Sequence, residues 1–98
     1  MNAVLIPSVD KEIIRIGKKI IDRDLDKYAI NDFKLLVSIL QSEARKINYP
    51  EISKQLASVA DKIQSKSIAL SEPSYSFYRK TFSRLLELYI EVLDARAV

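Results

Sequence analysis

The stretch PSYSFYRKTFSRLLELYIEVLDARAV, residues 73–98, reads as one long helix. Tyr75, Tyr78, Phe82, Leu85, Leu86, Tyr89, Val92 and Leu93 recur three and four residues apart, the spacing of a buried helix face. Beside that stripe runs a second apolar row, Phe77, Thr81 and Leu88, merging into Val92. At 100° per residue the two rows together cover roughly half of the helix circumference. That is more than the single stripe by which an outer helix packs on a bundle. The second row is therefore read as a docking face for a partner, either a larger protein or another copy of the chain.

Working outward, the rest of the chain is also helical. One glycine and three prolines in 98 residues leave room for little but helices and short connections. The first helix is predicted over residues 9–21, with Ser8 as its N-cap. Its inner face is Val9, Ile13, Ile16 and Ile20, with Ile14 and Ile21 alongside. Gly17 lies among them, where a neighbouring helix can come close. Residues 23–30 form a charged connection. A second helix, capped by Asn31 or Asp32, runs to Ile47 and is the most apolar, so it is expected at the centre. A third, over residues 50–67, starts at Pro50 and carries a narrow stripe of Ile52, Leu56, Val59, Ala60 and Ile63. No alternating run long enough for a strand is visible. The fold class is all-α: a small antiparallel four-helix bundle with a long C-terminal helix. It forms a single domain over residues 1–98, led by an apolar arm at residues 1–7.

Composition narrows the chemistry. Cysteine and histidine are both absent, which removes thiolate metal sites, disulfides, cysteine nucleophiles and the commonest general base. One glycine allows no glycine-rich phosphate loop. Asp22, Asp24 and Asp26 alternate, but no loop glycine or closing glutamate follows at calcium-loop spacing. No enzyme activity, cofactor, metal or small-molecule substrate is expected. No apolar run reaches membrane-spanning length, and residues 1–7 lack the basic flank of a signal peptide, so the expected location is cytoplasmic, with no membrane partner.

Three other features carry candidate roles. Lys11, Arg15, Lys18, Lys19 and Arg23 lie on the arc of the first helix opposite its isoleucines, diluted by Glu12 and Asp22. Clustered cations track a phosphate backbone, so these five are the candidate nucleic-acid contacts. The competing reading is a solvated face laced with ion pairs. Glu43 falls inside the apolar arc of the second helix and needs a partner there; Arg79, Arg96 or a tyrosine hydroxyl would serve. Tyr75, Tyr78 and Tyr89 read as core residues with polar tips, while Tyr28 and Tyr49 close the bundle ends.

Frequent isoleucine, lysine and glutamate, without cysteine, histidine or tryptophan, fit a thermophile source. Runs such as Lys11-Glu12-Ile13-Ile14 and Lys18-Lys19-Ile20-Ile21 resemble those of crenarchaeal proteins. In size, helicity and composition the whole chain is similar to the small helical accessory subunits of the crenarchaeal family-B replicative DNA polymerase, and to CRISPR effector small subunits. That resemblance implies a non-catalytic accessory protein in archaeal DNA replication or another nucleic-acid-handling machine. It has no motif behind it and assigns no residue a role. The alternative is a small basic helical nucleic-acid-binding protein, either a homodimer or a CRISPR effector small subunit.

Overall fold

In a computed structural model of the chain, α1 (Pro7–Ile21), α2 (Ala29–Lys46), α3 (Pro50–Ile68) and α4 (Tyr75–Arg96) follow one another as an antiparallel bundle. The structure describes residues 6–25, 29–68 and 75–96, without the side chains of residues 66–68. The expectations for Tyr28, Asp26 and most of the N-terminal arm lie outside the described residues. Every element among the described residues is helical, and α4 is the longest at 22 residues. None of these helices is long and apolar enough to cross a membrane.

Two helix starts differ from expectation. α1 begins at Pro7, not after Ser8: Ile6 is the N-cap and makes no side-chain cap bond. Its carbonyl instead accepts the N–H groups of Val9 and Asp10 at 3.0 and 2.9 Å. Proline needs no partner at a first position and already has helical φ, so the helix reaches back to it. α2 begins at Ala29, ahead of both proposed caps. Ala29 and Ile30 are buried and gain more from helical packing than from a loop.

α1 and α2 end in the same way. Arg23 and Asn48 take left-handed φ values of 55° and 54°. At the first, Asp24 N–H reaches back to Lys19 O at 2.8 Å and Arg23 N–H to Ile20 O at 3.2 Å. At the second, Tyr49 N–H reaches Ala44 O at 3.0 Å and Asn48 N–H reaches Arg45 O at 3.1 Å. These are Schellman motifs, which satisfy carbonyls that have run out of helix.

The core lies along the bundle axis. Val9 and Ile16 of α1, Phe33, Leu36 and Leu40 of α2, Ile52, Leu56 and Ile63 of α3, and Leu85, Leu88 and Val92 of α4 are fully buried. Phe33 stacks on Tyr78 with ring centroids 5.4 Å apart. α2 and α4 each touch the other three helices, whereas α1 and α3 do not meet. The centrality expected of α2 is thus shared with α4.

That arrangement corrects the reading of the final helix. Its second row is not surplus: Thr81, Leu88 and Val92 are buried, and Phe77 is half-buried. A helix with two neighbours and a diagonal contact needs about half its circumference apolar, because each neighbour takes its own row. The second row faces α3, on the side where Arg84 also bonds Gln55. Phe77 borders a shallow groove with Asp61, Lys62 and Ser65 of α3. In compensation, Tyr75, Phe82, Leu86 and Leu93 of the supposed inner stripe are only half-buried.

Candidate functional site

The apolar surface that remains open lies on the other side of α4, where it pairs with α1. These two helices run antiparallel. The Tyr89 hydroxyl lies beside the start of α1, accepting from Ile6 N–H at 3.0 Å and donating to Asp10 Oδ1 at 2.8 Å. In the middle, Gly17 faces Phe82: a methyl group in place of its hydrogen would stand 3.3 Å from the ring. At the far end the Tyr75 hydroxyl donates to the carbonyl of Ile20 at 2.6 Å. Gly17 thus permits the close approach that its position suggested.

The outward flanks of this pair are apolar. Ile14 is 70% exposed, Ile21 81% and Ile90 56%. Leu86 and Phe82 lie half-buried in the seam between them. Ile14 and Ile21 do not belong with the inner face of α1 as expected. From the buried line through Val9, Ile16 and Ile20 they are rotated by roughly 120–140°, beyond the reach of α2 and α4. That rotation was legible in their spacing but was masked by their apolar character. Ile90 comes one turn after Leu86 on α4, rotated roughly 40° farther from the core, which sets it on the outer side of the same seam as Ile14. Leu35 of α2, 46% exposed, stands apart from this face.

The five candidate cations of α1 divide into three groups: Arg15 and Lys19, Lys11 and Lys18, and Arg23. Arg15 bonds Glu12 and lies 2.8 Å from Asp32, while Lys19 bonds Asp32 at 3.0 Å. Hydrogen bonds to Glu12 and then Asp32 hold the Arg15 guanidinium charged, its pKa raised above the ordinary arginine value. Glu12, itself buried, sits at the α1–α2 contact rather than diluting an open face. These two cations tie α1 to α2 and carry little free field for a phosphate. Lys11 and Lys18 are exposed and unpaired among the described residues.

Arg23 is exposed and stands with its guanidinium carbon 5.1 Å from the Tyr75 ring centroid, with Arg79 at 5.9 Å from the same ring. Lys80 is exposed on the next position of α4. A second basic cluster, spanning α1 and α4, therefore lies where the sequence pattern showed only single residues. Its signal is tertiary, because Arg23 and Arg79 are 56 positions apart.

Glu43 has a local partner and not a distant one: it is half-buried and bonds Lys46 Nζ at 3.1 Å, one helical turn on. Tyr78 and Tyr89 are buried in the core, and Tyr49 packs against it in part. Burial, and then the neighbouring Asp10 carboxylate, push the Tyr89 phenol above its ordinary pKa, so it stays a donor. No three acidic side chains among the described residues converge as metal ligands. Comparison with protein-family models, with curated proteins and with solved structures found no match to this chain.

Proposed function

We propose that this chain is a non-catalytic docking protein, an accessory or adaptor subunit that works by presenting the outer α1/α4 face to a protein partner. The observation that carries this reading is the exposure of Ile14, Ile21 and Ile90 on one face of a small bundle whose other large apolar side chains are mostly covered. Leaving three isoleucines in water is unfavourable unless they become buried, at roughly 25 cal/mol per Å² before ordering costs. This surface replaces Thr81, Leu88 and Val92, which the bundle itself consumes. The absence of histidine and cysteine and the pairing of Glu43 with Lys46 favour docking over catalysis.

The test is an Ile14→Asp, Ile90→Asp double variant. It should keep its helical circular dichroism and unfold within about 1 kcal/mol of the parent, as exposed substitutions do. It should also lose partner capture on an affinity column. Capture at the parental level would refute the reading.

A second reading is supported by the cluster of Arg23 and Arg79 around Tyr75, with Lys18 and Lys80 nearby. Guanidinium groups beside an aromatic ring suit a phosphate backbone with a stacked base, in keeping with a nucleic-acid-handling context. It requires affinity for single-stranded DNA or RNA that falls steeply with salt, with a shallower slope in the Arg23→Gln, Arg79→Gln variant. Absence of binding at 20 mM salt, on the order of the low end of such titrations, would dismiss it.

A further inference from the structure

The outer α1/α4 face has opposite charge at its two ends. Because the helices are antiparallel, the start of α1 lies beside the end of α4. Asp10, Glu91 and Asp94 fall at that end by register, against Lys11 and Arg96, while Glu87, next to Leu86, is already paired with Arg84. At the other end Lys18 and Arg23 meet Arg79 and Lys80, against Asp22 and Asp24. Between the two ends runs the apolar seam. Ile14 and Leu86 are near its middle, Ile21 lies roughly 10 Å toward the basic end, and Ile90 roughly 8 Å toward the acidic end.

A surface of this kind is complementary to itself. Turned end for end and laid face to face, a second copy places its basic end on the first copy's acidic end. Its Ile14 and Leu86 then meet their counterparts near the axis, and each Ile21 moves to the end occupied by the other copy's Ile90. A two-fold axis across the helices produces both matches at once, as an isologous interface requires. Given a docking role for this face, we infer that its occupant is a second copy of the chain, paired antiparallel through α1 and α4.

The face is about 22 Å long and two helices wide, a flat footprint of roughly 450 Å² before side-chain relief is counted. A standard interface buries about 800 Å² per partner, so this pair belongs at the weaker end, with a micromolar dissociation constant. The apolar middle supplies affinity, and the charged ends fix orientation and exclude the parallel arrangement, which would set like charges together.

Sedimentation equilibrium of the full chain over a range of concentrations tests this. The expected result is a reversible doubling of the 11.2 kDa mass. Ile14→Asp should weaken the dimer at least about tenfold with helicity unchanged. Lys18→Glu with Arg79→Glu gives a copy with two acidic ends, and Glu91→Lys with Asp94→Lys one with two basic ends. Each should be monomeric alone, and the two should form a one-to-one pair when mixed. A dimer indifferent to Ile14→Asp, or a mixture that stays monomeric, overturns the assignment. A parent monomeric at millimolar concentration also overturns it. In that case, loss of foreign-partner capture by the Ile14→Asp, Ile90→Asp variant would leave the docking reading standing, whereas undiminished capture would remove both.

Discussion

At the scale of the residue, Tyr89 does most to join the two ends of the described chain. Its ring is buried among the core side chains and its hydroxyl serves both Ile6 and Asp10. Tyr89→Phe strands the Ile6 N–H and should cost about 1–3 kcal/mol by urea denaturation at neutral pH. The pH dependence follows from the direction of the pKa shift. The folded value is raised, so ionisation near pH 10 favours the unfolded chain first. The advantage of tyrosine over phenylalanine should be constant below pH 10 and shrink above it, as parallel denaturation series would reveal. Tyr89 was readable as core from its spacing. Its two hydrogen-bond partners were not, because Ile6 and Asp10 are 83 and 79 positions away.

At the scale of the element, the sequence identified four helices and their approximate limits, since periodicity and prolines act locally. What it misjudged was rotation. In α4 the buried arc passes through Thr81, Leu88 and Val92, turned by roughly 120° from the stripe through Phe82, Leu86 and Leu93. Both arcs are equally apolar, and only the positions of α1 and α3 decide between them. Leu88→Ala should therefore cost about 2–5 kcal/mol, the penalty of a core cavity. Phe77→Ala, at the half-buried rim, should cost less than Leu88→Ala despite removing a larger side chain. Thermal denaturation of the two variants orders them, and the reverse order would restore the row to the outside. In α1 the same ambiguity hid Ile14 and Ile21, whose apolar character suggested an inner face and whose angle put them outside.

At the scale of the whole molecule, the all-α antiparallel bundle was legible because so few helix breakers are present and the helices are strongly periodic. The candidate surface was only partly legible. Lys18 and Arg23 were named for charge, yet Arg79 and Lys80 join them only through the α1/α4 register. Conversely, Arg15 and Lys19 leave the open row because α2 brings Asp32 against them. Single-helix projections see the composition of a face but not which neighbour uses it, and here the neighbours decide both the core and the exposed seam.

The hydrogen bond from Ile6 to Tyr89 has a topological consequence. α4 ends at Arg96, about two turns past Tyr89, so the two ends of the described bundle lie within roughly 15 Å of each other. In effect the four helices form a closed ring of neighbours, in which the order of synthesis need not be the order of connection. A short glycine linker from residue 96 to residue 6, with new ends opened at residues 47–49, should give a circular permutant with the parent's far-ultraviolet spectrum and a two-state transition. Its contacts would be unchanged, while the longest loop to be closed in folding, from α1 to α4, would become one of the shortest.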